Sequence, residues 1–114
     1  MNIRVRVRPE ALIVRARGDL TESAAAELLH QIQKELEPQP RSVVLDLSQV
    51  ASMAAAALPY VFRIQHETED NDHRLIVAAT SEPVRRLLEQ TNVVEALEVA
   101  PSEEEAFRSV MAPA

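Results

Sequence analysis

The sequence predicts an α/β domain, an N-terminal β-hairpin followed by alternating strands and helices, with a mixed, mainly parallel sheet of about four or five strands and about four helices. Three observations carry this. Residues 3–8 alternate strictly between aliphatic side chains (Ile3, Val5, Val7) and arginines (Arg4, Arg6, Arg8), the period of a strand with one wet face. Two later runs, Ser42–Leu47 and Leu75–Ala79, are short and nearly all apolar, as strands covered on both faces are. Between the runs lie amphipathic stretches bounded by cap residues and prolines, the pattern of helices that cross over between parallel strands. With 114 residues and 46% hydrophobic content the chain is one domain, residues 1–114, with its core over about 3–107.

Pro9 and Glu10 break the first strand, and the short connection to a second strand at Leu12–Arg17 predicts the hairpin, ended by Gly18. Thr21 is placed to cap a helix running to about Glu37. Ala25, Leu29, Ile32 and Leu36 share one stripe of it, His30, Gln31, Lys34 and Glu35 lie elsewhere, and Pro38 and Pro40 stop it. After Leu47 a short loop is expected, then a helix opened by Ala54–Ala57 and continued by Leu58, Val61, Phe62 and Gln65. Pro59 is comfortable only in a first turn, which moves the true start past the alanines. Glu67–His73 reads as a polar loop. Ser81 is expected to cap a helix with Pro83 in its first turn and Val84, Leu87 and Leu88 inward; a short strand near Leu97–Val99 follows. Ser102-Glu103-Glu104-Glu105 spells a capping box, which starts a last helix to about Met111.

Composition removes whole classes of function. A single glycine, Gly18, cannot build a Gly-rich phosphate cradle, so nucleotide chemistry of the Walker or dinucleotide kind is excluded. No cysteine is present, hence no disulfide, no thiolate zinc site and no thiol nucleophile, which fits a reducing compartment. Three aromatics, Tyr60, Phe62 and Phe107, are too few for a base-stacking platform. The net charge of −6 offers no global attraction to nucleic acid or anionic lipid. The charge is uneven, however: residues 1–18 hold five arginines against Glu10, a local +4 that leaves −10 on the remainder. No apolar run approaches the roughly 20 residues of a membrane span, and the first residues lack the order of a signal peptide. The expectation is a cytoplasmic protein with no nucleic-acid partner and no membrane insertion, for which a homodimer stays open.

The element order and three strings resemble the STAS domain, the family of bacterial anti-sigma-factor antagonists and of the cytosolic tails of sulfate transporters. The strings are Gly18-Asp19-Leu20 before the first helix, Val43-Val44-Leu45-Asp46-Leu47-Ser48 followed by Val50, and Leu75-Ile76-Val77 leading into Pro83-Val84-Arg85-Arg86-Leu87-Leu88. The resemblance covers about Ile3 to Phe107. In the antagonists, the segment after the central strand reads roughly Asp-Ser-Ser/Thr-Gly, and its first hydroxyl is phosphorylated by a partner kinase. Laid on this chain, Asp falls on Ala54, the acceptor on Ala55 and the glycine on Ala57. A methyl group has no oxygen to attack a γ-phosphate, so no transfer is expected at Ala55.

The resemblance therefore implies a non-enzymatic, constitutive binder of an anti-sigma factor or related kinase-fold regulator in transcription control. It would bind through Ser52, Met53, Ala54, Ala55, Ala56 and Leu58 at the start of the second helix. The alternative it implies is a structural subunit or other scaffold, for example in an ABC lipid-transport complex, seated on the ATPase subunit. Ser52 is a candidate replacement acceptor, with Ser48 further off; both are read first as loop serines satisfying backbone groups. No catalytic residues and no cofactor are assigned: Asp19 and Asp46 stand near strand ends, where α/β sites usually lie, but without a serine or histidine at triad spacing, and they read as loop and cap residues. The stretch from His66 to His73 gathers two imidazoles and four carboxylates, yet it has neither the glycine of a calcium loop nor a zinc spacing. No metal is assigned there. The period-2 arginines read first as a solvated sheet face that discourages edge pairing, with a basic face for an acidic protein or lipid headgroups as the alternative, to be told apart by salt.

Overall fold

In the computed structural model, which describes residues 1–78, 81–92 and 96–112, the two alternating runs at the N-terminus pair as an antiparallel hairpin. Strand β1 is Asn2–Val7 and β2 is Ala11–Leu20. Helix α1 (Glu22–Leu36) leads to β3 (Ser42–Met53), a 3-10 turn over Ala55–Ala57, and α2 (Leu58–Asp70). Then come β4 (Leu75–Ala78), α3 (Glu82–Gln90), β5 (Glu98–Ala100) and α4 (Glu103–Met111). The strands lie in the order β1-β2-β3-β4-β5, and every pair after the first is parallel. This is the mixed α/β sheet that the alternation of strands and helices predicts.

The alternation inside the strands divides the core. Leu12, Val14, Ala16, Val43, Leu45, Leu47, Leu75 and Val77 point to one face and meet the stripes of α1, α2 and α3, among them Leu28, Ile32, Val61, Ile64, Val84 and Leu88. Ala11, Ile13, Val44, Ile76, Ala78 and Ala100 point to the other, where α4 supplies Ala106, with Phe107 and Val110 at the margin. Arg74 clamps this second layer, pairing with Glu98 and donating to the Ser109 carbonyl at 3.0 Å. Three layers result, but α4 lies over β3, β4 and β5, so among the described residues no helix packs on the second face of β1 and of the outer part of β2.

Several boundaries differ from expectation, each for a physical reason. Gly18 does not end β2. The inward set of Leu12, Val14 and Ala16 continues to Leu20, fully buried, with Gly18 passing between them at φ +112. Helix α2 replaces the first half of the expected Glu67–His73 loop, because Thr68 falls one turn after Ile64 on the inner stripe. Buried Thr68 satisfies its hydroxyl on the Gln65 carbonyl at 2.8 Å. Glu67 of the same stretch is held by Gln33 and Arg63 at 2.9 to 3.0 Å rather than in a loop.

Pro59 sits in the first turn of α2, as the sequence requires, and the alanines before it form only the 3-10 turn. Thr21 accepts from the Ala24 N–H at 3.1 Å and Ser102 from the Glu105 N–H at 3.1 Å, both as caps. Ser81 stands at the N-cap of α3, but its hydroxyl makes no cap hydrogen bond. Ala79, expected as the last residue of β4, lies outside the described residues.

Candidate functional site

The segment singled out by the resemblance lies where β2 and β3 end together. β3 runs six residues beyond its expected end at Leu47, so the short loop expected there is strand. Beyond Asp46 it pairs with β2 alone, with partners Arg17↔Gln49, Gly18↔Val50, Asp19↔Ser52 and Leu20↔Met53. Two register shifts interrupt this ladder. The Ala54 N–H then donates to the Leu20 carbonyl at 3.0 Å, which fixes the start of the 3-10 turn beside the start of α1. The tip is thus at the carboxyl ends of two parallel strands, where two helical segments begin.

At this tip Ser52, Ala54, Ala55 and Ala56 are exposed, and Met53 is half-buried against the main core. Ala55 is therefore at the mouth of the second helical segment, with its methyl group in solvent. Leu58 is a correction. It is 7% exposed and packs in the main core with Ala57, so it anchors the tip from beneath and presents no docking area. Its place on the inner stripe with Val61 and Ile64 is the reason.

Ala54 occupies the N-cap of the turn with extended backbone (φ −82, ψ 143) and no side chain to cap it. The Ser52 hydroxyl donates to Asp19 Oδ1 at 2.7 Å. Asp19 and Asp46, expected as loop and cap residues, both lie within strands. The Ser52–Asp19 bond joins residues 33 apart, and nothing local in the sequence marks them as partners.

A second polar cluster lies on the uncovered face of the hairpin. A groove of about 510 Å³ is lined by Asn2, Arg4, Arg15, Ala16, Arg17, Asp46, Ser48 and Gln49. Arg15 grips Glu103 of α4 with two hydrogen bonds, Nε to Oε2 at 2.6 Å and Nη2 to Oε1 at 2.8 Å. That bond, more than the charge alone, holds the Glu103 carboxyl below the ordinary carboxylate range against the opposing effect of burial; Asp46 and Arg6 act in the same downward direction. The Arg15 guanidinium is raised by the same contact. Asp46 Oδ1 accepts the Ser48 N–H at 2.9 Å. Among the described residues no group of three or more His, Cys, Asp or Glu side chains is arranged to hold a metal ion. No helix among them is long and apolar enough to cross a membrane.

This architecture recurs in solved proteins. An anti-sigma factor antagonist from Mycobacterium paratuberculosis superposes with a TM-score of 0.85 at 20% identity, over 97% of this chain and 94% of that one. The anti-sigma factor antagonist SpoIIAA in its unphosphorylated form gives 0.82 at 19% identity, over 99% of both chains. A sulfate transporter family protein from Wolinella succinogenes gives 0.77 at 18% identity, over 93% and 88%. At these identities the likeness is one of fold. The family itself is fixed by sequence: residues 2–106 match the model of the STAS domain, and the chain belongs to the STAS domain family.

Proposed function

We propose that this chain is a non-enzymatic regulatory module that docks a kinase-fold anti-sigma factor through Ser52, Met53, Ala54, Ala55 and Ala56, and that phosphorylation does not release it. The single observation that carries the reading is the exposure of Ala55 at the mouth of the second helical segment, the position on which the resemblance lays the antagonists' acceptor hydroxyl. Two of the structural neighbours are named as anti-sigma factor antagonists, and SpoIIAA exists in phosphorylated and unphosphorylated forms. Where a phosphate would add about −1.5 to −2 charge at a helix start, Ala55 adds none.

Ser52 does not restore the switch. Its hydroxyl is engaged by Asp19 at 2.7 Å, so a phosphoryl group there would meet a carboxylate at close range. The experiment is affinity capture on the immobilised chain, followed by a wash with Mg-ATP. The expected result is a kinase-fold protein that stays bound through the wash, with no mobility shift of this chain in phosphate-affinity electrophoresis. Release by ATP would overturn the reading, as would a shift that disappears in Ser52→Ala. Recovery of an ABC ATPase with a lipid-transport permease would replace it by the scaffold alternative.

A further inference from the structure

The arginines of the hairpin are more than the edge of this sheet requires. β1 is an edge strand that pairs only with β2 among the described residues, and charge on such a strand guards against stray pairing. Arg4 and Arg6 would serve that purpose alone. Arg15 and Arg17 stand on the inner strand, where they guard no edge, and Arg4 lies directly opposite Arg15. Like charges placed opposite each other across two strands are destabilising. Glu103 relieves Arg15, whereas Arg4, Arg6 and Arg17 have no ion pair among the described residues, and all three are exposed. The fold thus retains an unfavourable cluster on the part of the sheet that α4 leaves open among the described residues, beside a groove of about 510 Å³.

We propose that β1 and this arginine face form a second binding surface, which accepts an acidic, extended segment of a partner protein as an added strand at the β1 edge. Strand addition supplies main-chain hydrogen bonds, and side chains at alternate positions supply the selectivity. On one face of the added strand, carboxylates meet Arg4 and Arg6, with Arg17 behind them. On the other, apolar residues continue the line of Ile3 and Val5, which are half-buried and pack on the main core. The Arg15–Glu103 fork already displays the bidentate pairing that such a carboxylate would make on this face.

The same charges argue against other occupants. A second copy adding its own β1 would set arginines against arginines in either direction. A membrane or nucleic acid is a continuous polyanion; it would meet Asp46 in the groove and Glu103 on Arg15, and beyond the patch a chain that carries −10 over residues 19–114. A short acidic segment fits within the patch. This surface stands apart from the tip at Ser52–Ala56 and does not depend on it.

The test uses a fluorescent peptide of alternating valine and glutamate, its valine and glutamine counterpart, and the intact protein. Anisotropy should show the acidic peptide binding at low salt. Affinity should fall about tenfold or more for Arg4→Gln/Arg6→Gln and for the glutamine peptide, and fall again from about 50 to about 300 mM salt. Amide exchange should slow across residues 2–7 in the complex. Both arginines are exposed, so the variant keeps the fold, and circular dichroism verifies that. No binding of the acidic peptide overturns the proposal. So do equal affinity for the glutamine peptide, protection confined to other residues, tighter binding to anionic phospholipid vesicles or to an oligonucleotide, and self-association through β1.

Discussion

The most direct physical test of the tip is to give the 3-10 turn the cap it lacks. Ala54 has the extended backbone of an N-cap, its carbonyl already accepts the Ala57 N–H at 3.0 Å, and its side chain contributes nothing to the orphan amides that follow. Ala54→Ser places a hydroxyl within reach of the Ala56 N–H, which the Ala54 carbonyl does not take, without adding charge beside Asp19. Exchanges between alanine and serine at N-caps change stability by about 1 kcal/mol, within a range of roughly 0.5–2. At about 2.1 cal/mol/K per residue, 114 residues give an unfolding entropy near ~0.24 kcal/mol/K, so the expected gain in Tm is about 4 °C. Scanning calorimetry measures it. Ala56→Ser is the control, since it adds the same atom inside the turn, where serine is less favourable than alanine by up to about 0.5 kcal/mol. Equal Tm values for the two variants, or a fall for Ala54→Ser, would refute the claim that residue 54 caps this segment.

Two further outcomes follow from the geometry. Gly18→Ala should lower stability by about 1–2 kcal/mol, because a Cβ there meets only Met1 Cα at an ordinary 3.8 Å while φ +112 is strained for alanine; a urea midpoint unchanged from wild type would show that the positive φ is not kept in solution. Glu103 titrates below its ordinary range when folded, so the stabilisation it gives is complete above the unfolded carboxylate pKa of about 4.3 and disappears as pH falls through the folded value. Glu103→Gln and Arg15→Gln should each cost about 0.5–1 kcal/mol at neutral pH, a modest figure because Arg15 is half exposed, and their deficit against wild type should shrink as pH falls below the ordinary carboxylate range. A deficit independent of pH would sink that account.

The regular parts of this fold were legible because local pattern and tertiary role agree. The alternation of Ile3 to Arg8 is a half-wet edge strand, the SVVLDL run is covered on both faces, and Thr21 and Ser102 make the caps their positions imply. Legibility stopped where the period changes. After Leu47 the residues of β3 that return to the core are Val50 and Met53, a spacing of three that no regular strand produces, so the apolar pattern appears to end. The close of α2 was hidden because a threonine, not an aliphatic residue, occupies its last inward position. At the tip, the exposure of Ala54–Ala56 follows from the resemblance, but Leu58 was placed on the surface by proximity in sequence and is drawn into the core by helical phase. The pairs Ser52–Asp19 and Arg15–Glu103 span 33 and 88 residues and exist only after the chain has folded.

The period of three in β3 also explains how one ribbon lines both the tip and the arginine groove. Between the partner pairs Arg15↔Asp46 and Leu20↔Met53, β3 uses two more residues than β2, and the two register shifts absorb them. A regular strand would send every second residue inward. Here only Val50 and Met53 return after Leu47, while Ser48, Gln49, Ala51 and Ser52 all stay exposed. Ser48 and Gln49 line the arginine groove, and Ser52 reaches the tip beside Asp19. The bulges thus raise the exposed residues from the three of six that a regular strand would give to four of six, and each return to the core pins the strand again. Without the two extra residues β3 would keep its pairing to β2 in strict alternation, with one exposed side chain for each inward one, and would lose the adjacent exposed pairs Ser48-Gln49 and Ala51-Ser52.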